Sequence, residues 1–310
     1  MVDVQTALGP VPSDQLGLTY GHEHLFVTSA GLRDYYPWLF DTDAELDHTT
    51  AELIEARGAG VSTIVDVTTP DLGRQPELMR TVSERSGVNV VVATGLWLDP
   101  PRAMRGATAE EYADIFQHEI EVGVGGTDIR AGVIKVANAD PPGIGEQEEA
   151  ILRGAAEASM RTNVPTTTHT GPYTIGREQM RVFADSGVAP HLVAIGHSYT
   201  DDVEYLREVL EAGHYLSIDR FRWEPNNEPE IIAAIATLCA EGRADHIMLS
   251  HDHAPEHNSF RPHGAHEPPS GFTYIVNQVR PRLTEAGVSQ ADIEAMLFEA
   301  PRTFLEGGRG

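Results

Sequence analysis

The chain has 310 residues, with 22 Lys plus Arg against 47 Asp plus Glu and a formal net charge of -25. Its only lysine is Lys135, so no lysine-rich patch exists, and the acidic surplus argues against nucleic acid, whose phosphates need clustered cations. Hydrophobic residues make up 41%, enough for a sizeable core, yet no apolar run approaches the roughly 18 to 20 residues of a membrane span. The opening stretch MVDVQTALGPVPSDQ has neither a basic n-region nor an apolar h-region, so no signal peptide is expected. One cysteine, Cys239, excludes an internal disulfide and a Cys-based zinc site. Set in the helix-like IIAAIATLCAEG, it reads as a buried, inert thiol. The expectation is a soluble cytoplasmic protein.

In chain order, strand-like runs occupy 17–24, 61–69 (VSTIVDVTT), 88–96 (VNVVVATGL) and 130–137 (RAGVIKVA). Four more follow at 164–170 (VPTTTHT), 192–198 (LVAIGHS), 214–220 (HYLSIDR) and 246–252 (HIMLSHD). Amphipathic segments lie between them, such as 43–60, 146–162 and 202–213, and several close on Gly just before the next strand. Near-continuous apolar strands alternating with helices indicate buried parallel strands joined by crossovers. No linker or low-complexity tract divides the chain, so 1–310 reads as one domain. A (β/α)8 TIM barrel is the fold expected, with a doubly wound open sheet as the alternative.

Barrel active sites stand at the C-terminal ends of the strands. There this sequence places His22-Glu23-His24, Lys135, His169, His197 and Asp252. Residues two apart on a strand share a face, so His22 and His24 both reach the barrel mouth. Imidazoles and a carboxylate on one rim suit Zn, Mn, Fe or Co. Lys135 sits among the apolar Val133, Ile134 and Val136, where burial depresses an amine's pKa and leaves it nucleophilic. Addition of CO2 would make it an anionic, two-oxygen ligand able to span two cations. The plainer alternative is a lysine snorkelling from a strand end or pairing with an acid.

The set HEH, VIKVA, TTTHT, GHS and SHD, in this order and spacing, resembles the phosphotriesterase family of the amidohydrolase superfamily. The likeness runs over nearly the whole chain. It extends to TSAG (28–31), STIVDVTT (62–69), VVATGLWLDPP (91–101) and IRAGVIKVA (129–137), which look close to bacterial aryldialkylphosphatases. The resemblance implies a TIM barrel with two divalent ions, zinc foremost and Mn, Fe or Co as alternatives. By it, His22 and His24 would bind the more buried ion, and His169 and His197 the more exposed one. Lys135, as N6-carboxylysine, would bridge them together with a hydroxide that attacks an ester-type bond. Asp252 would bind the buried ion and take the hydroxide's proton.

The sequence departs from the phosphatase branch at its proton relay. Arg220 stands where that branch has a His, as in the lactonase branch, and could pair with Asp201 or Asp219 or position a substrate oxygen. After GHS, Tyr199-Thr200-Asp201-Asp202 is one residue short, which leaves the relay Asp without a clear counterpart. A broken relay should hurt phosphotriester turnover more than lactone opening. A lactonase with side activity on phosphotriesters is therefore expected, with a phosphotriesterase proper or a non-catalytic metal-binding barrel as alternatives. Trp97 and Phe221 are expected to wall the substrate pocket, with Trp223 after Phe221 on the same loop. Tyr35, Tyr36 and Trp38 in the first loop fit a homodimer. The histidines at 253, 257, 263 and 266 in the long connection after the last strand read as solvated rather than as a third metal site.

Overall fold

The computed structural model describes residues 2–139, 143–221, 227–255 and 271–307. A short antiparallel hairpin, β1 (Asp3–Thr6) and β2 (Gly9–Pro12), precedes the barrel. The barrel strands are β3 (Leu18–Glu23), β4 (Val61–Asp66), β5 (Asn89–Gly95) and β6 (Val133–Ala139). They continue as β7 (Thr166–Gly171), β8 (Val193–Ile195), β9 (Tyr215–Ile218) and β10 (Ile247–Leu249). Each pairs in parallel with the next in sequence order, so all eight expected strands form one sheet. Where β3 ends and just past β10, Asp252 N donates to His22 O at 3.2 Å and His24 N to His253 O at 2.8 Å. Those two bonds tie the last strand to the first and complete the (β/α)8 TIM barrel.

Helices at Thr42–Gly58, Glu146–Thr162 and Val203–Glu211 match the expected segments closely. Their starts follow local chemistry: Asp41 and Asp202 accept from backbone amides of the first turn, as N-caps do. The helix Ala109–Glu121 opens with a full capping box of Thr108 and Glu111. Among the described residues, no helix is long and apolar enough to cross a membrane.

The strand period of two separates the core into two layers. Ile64, Val90, Val92, Ile134 and Val136 belong to the large cluster shared with the helices. Val65, Val91, Ala93 and Val133 belong to a smaller one that also holds Val4, Phe304 and Leu305. Lys135 shares its parity with Val133, so its side chain points into the barrel, where it is 1% exposed. Gly95 makes room for it: a Cβ there would lie 1.8 Å from Lys135 O, and the residue's φ of 115° suits only glycine. At the opposite end the hairpin acts as a floor, with Ala7 N donating to Val90 O at 2.7 Å. Cys239 is buried as expected, and burial pushes its thiol up to about 12, which leaves it inert near neutral pH.

Candidate metal centre

Strands β3, β6 and β7 and the turns after β8 and β10 bring the expected side chains together, Lys135 from the third position of β6 rather than its end. Lys135 Nζ lies 3.0 Å from His22 Nε2 and 3.2 Å from Thr168 O. Burial lowers its pKa from 10.5 to about 8, with attraction to Asp252 and Asp219 opposing the shift. His169 Nδ1 stands 2.6 Å from His197 Nε2. Burial, His197 and Lys135 drive the His169 pKa far below that of ordinary imidazole, so its ring is neutral. His22 falls to about 4, chiefly through burial and then the charge of Lys135, with Asp219 pulling the other way. These are imidazoles held in the form that binds a cation.

Asp252 occupies the middle. Its Oδ1 is 3.3 Å from His24 Nε2 and 3.6 Å from His22 Nε2, and its Oδ2 is 3.9 Å from His197 Nε2. Burial alone would raise its pKa, but His197, His24 and His22 outweigh that and hold it ionised. His197, Arg220 and Asp252, each just past its strand, have φ of 50°, 76° and 56°. Left-handed backbone at non-glycine residues costs about 1–3 kcal/mol each and persists where a site demands it.

Behind the ring stands a supporting layer that the sequence reading did not identify. Asp219 Oδ1 is 2.5 Å from His197 Nδ1, and its Oδ2 is 3.0 Å from His22 Nδ1. The same Oδ2 accepts from His197 N and Ser217 Oγ at 3.1 and 2.9 Å. His24 Nδ1 lies 2.8 Å from Thr68 Oγ1. With their Nδ1 atoms so engaged, His22, His24 and His197 turn Nε2 toward the barrel axis. Ligand atoms of His22, His24 and Asp252 lie within 4.8 Å of one another, a spacing able to hold a cation. His22, His197 and Asp219 meet the same criterion, but there His197 Nδ1 is hydrogen-bonded to the carboxylate and His22 Nδ1 stands 3.0 Å from it as a charge pair. That group is a backing to the site. The donor set fits a divalent-metal centre, with imidazole and carboxylate ligands oriented from behind. Asp219 shares inward parity with Ser217 on the strand register, and that was the one available hint of its role.

Other expected residues fall differently. Trp97 Nε1 donates to His169 Nδ1 at 3.3 Å, at the rim. Phe221 is fully buried, edge-on to Tyr199 in the core, rather than part of an open pocket wall. Arg220 Nε lies 3.6 Å from Asp252 Oδ2, so it pairs with the site's own carboxylate rather than with Asp201 or Asp219. Asp201 is exposed and Asp202 caps the next helix. His253 is 4% exposed and sits 2.8 Å from Glu52 Oε2, so it is a packed residue and not a solvated one. Trp223, His257, His263 and His266 lie outside the described residues.

Residues 2–305 match the model of the Phosphotriesterase family. The chain belongs to that family. It is 34% identical to a Phosphotriesterase homology protein of Mycobacterium tuberculosis, covering 99% of this chain and 98% of that one. It is 33% identical to an Aryldialkylphosphatase of Saccharolobus solfataricus, over 95% and 96%. An N-acetyltaurine hydrolase of Danio rerio is 28% identical, over 97% of each. A solved phosphotriesterase of Mycobacterium tuberculosis superposes with a TM-score of 0.91, covering 98% of both chains at 34% identity. This phosphotriesterase-family chain is thus a hydrolytic enzyme by relationship, in a family of dinuclear metal-dependent hydrolases.

Proposed function

We propose that this hydrolase opens lactones, with side activity on aryl phosphotriesters, and that it works with two divalent ions, zinc foremost. His22, His24 and Asp252 would hold one ion, His169 and His197 the other, and Lys135 would span both. When bound, such ions acidify a shared water and polarise a C=O or P=O oxygen. Lys135 becomes a bridging anion by forming a bond from Nζ to the carbon of CO2 with loss of one proton. Its buried, low-pKa amine supports that step.

The observation that carries the lactone reading is the Arg220–Asp252 pair. Asp252 would receive the proton, but a guanidinium stays protonated and cannot pass that proton outward. A proton that stays on Asp252 serves a reaction whose leaving group needs it at once. The alkoxide released by ring opening is strongly basic and remains tethered in the product. An aryl phosphotriester releases a weakly basic phenolate and needs the proton exported instead. Arg220 would also orient the ring oxygen. A phosphotriesterase proper is the second reading, favoured by Trp97 at the rim in the segment GLWLDPP.

The test is kcat/KM of the metal-loaded protein on a lactone panel and on the phosphotriester paraoxon. Lactones should be turned over faster. Faster paraoxon hydrolysis would favour the second reading, and activity on neither, with metal bound, would count against both. A homodimer fits the exposed Tyr35, Tyr36 and Trp38, and light scattering would test it.

A further inference from the structure

Trp97 is held where it is by one buried carboxylate from the neighbouring strand. Asp71, 6% exposed, lies in the turn Pro70–Leu72 that follows β4. Its Oδ1 accepts from Thr69 Oγ1 at 2.5 Å. The backbone amide of Trp97 points at both of its oxygens, 3.1 and 3.0 Å away. Asp99 N donates to Oδ2 at 3.1 Å. The same turn also grips the first barrel loop through its backbone: Ala30 N donates to Asp71 O at 3.2 Å, and Thr28 N to Leu72 O at 2.9 Å. Gly73 closes the turn at φ 74°, where a Cβ would come within 2.4 Å of Thr28 Cγ2. Three loops of the catalytic rim therefore meet at Asp71, and the product of that meeting is the indole of Trp97, edge-on to His169 at 5.7 Å between ring centroids.

The geometry points to Asp71 as a specificity-determining positioning residue, one that fixes Trp97 as the wall against which an apolar substituent of the substrate packs. It rests on the proposed function only for the substrate class. Asp71 touches no metal ligand in the contacts above, and it acts through Trp97. An asparagine offers one accepting oxygen where Asp71 uses two, and it turns an NH2 group toward amide donors, so the loop must shift.

The experiment uses Asp71→Asn, Trp97→Ala and the double variant, together with the wild type labelled with 5-fluorotryptophan. In 19F NMR, the Trp97 resonance (assigned by its loss in Trp97→Ala) should move in Asp71→Asn, while that of exposed Trp38 stays put. An unmoved Trp97 resonance overturns the proposal. In kinetics, Asp71→Asn should raise KM about tenfold for a lactone bearing a phenyl substituent, with kcat nearly unchanged. The same ring bearing a methyl group should be affected little. In the Trp97→Ala background Asp71→Asn should add nothing, whereas fully additive losses would show that Asp71 acts by another route. Should Asp71→Asn fail to fold, Thr69→Val removes one of the carboxylate's donors and should move the same resonance less far, with no movement counting against the proposal. A wild type inactive on every ester would refute the proposed function alone, because the NMR readout still decides the role of Asp71.

Discussion

Asp219 grips His197 from behind, Oδ1 to Nδ1 at 2.5 Å, while its other oxygen stands 3.0 Å from His22 Nδ1. In the proposed function the two imidazoles serve different ions, so one fully buried carboxylate would orient a ligand of each. Burial alone would raise its pKa, but His197 and His22 hold it well below the usual carboxylate range. Removing that anchor should loosen both ions together. Asp219→Asn is expected to weaken metal binding about 10- to 100-fold, the usual cost of losing such an orienting partner. Competition with a chelator would measure it. Loss of one ion with the other untouched would contradict a shared anchor.

Lys135 supplies a second prediction. Lys135→Ala should bring the bound metal down from two ions per chain toward one, counted by elemental analysis. A short carboxylate such as propionate should restore part of the second ion by filling the vacated space. Lys135→Arg should not respond, since a guanidinium stays protonated and forms no carbamate. The amine, with its pKa lowered to about 8, gains neutral form as pH rises toward that value. Reassembly of metal-free protein with metal at a fixed concentration of dissolved CO2 should accordingly quicken from pH 6 through pH 8 and level off about one unit above the pKa. Full metal content in Lys135→Ala without added carboxylate would sink the carbamate reading.

The barrel strands and the centre's side chains were legible because both obey local rules. Runs such as VNVVVATGL carry apolar residues on both faces, as buried parallel strands do, and the residues at the strand ends fall where barrels keep their chemistry. What escaped depends on closure of the barrel. His253 meets Glu52 across 201 residues, and Asp219 reaches His22 only because the last strands close against the first. Phe221 follows a strand end, like a pocket residue, yet the chain turns it into the core beside Tyr199. The floor hairpin is also hidden, because its strands are only four residues long and the second, GPVP, is mostly Gly and Pro.

Arg220 invites a gain-of-function test. Arg220→His would replace a fixed cation 3.6 Å from Asp252 with a group able to accept and release a proton near neutral pH. The ratio of paraoxon to lactone kcat/KM should rise about tenfold, less than the roughly 100- to 10,000-fold of a fully positioned acid–base group because the rest of the relay is absent. Arg220→Ala should lower lactone turnover without raising that ratio. An equal rise in both variants would mean that Arg220 acts by bulk and not through the proton path.

His214 gives the fold a pH dependence that is separate from the metal centre. It is 3% exposed, just before β9. Burial brings its pKa from 6.5 down to about 4, with the backbone carbonyls of Pro190 and Val193 partly offsetting the shift. A histidine kept neutral in the fold binds its proton more readily once unfolded. Its contribution is thus present above pH 6.5 and is lost as pH falls from 6.5 toward 4. A shift of that size corresponds to about 3 kcal/mol across the window, large against ordinary domain stability. Urea denaturation at stepped pH should show the wild type weakening across this window. His214→Leu, whose side chain takes up no proton, should flatten that slope even if its stability at pH 7 is lower. An unchanged slope in the variant would assign the acid sensitivity to other groups, such as His22 and His169.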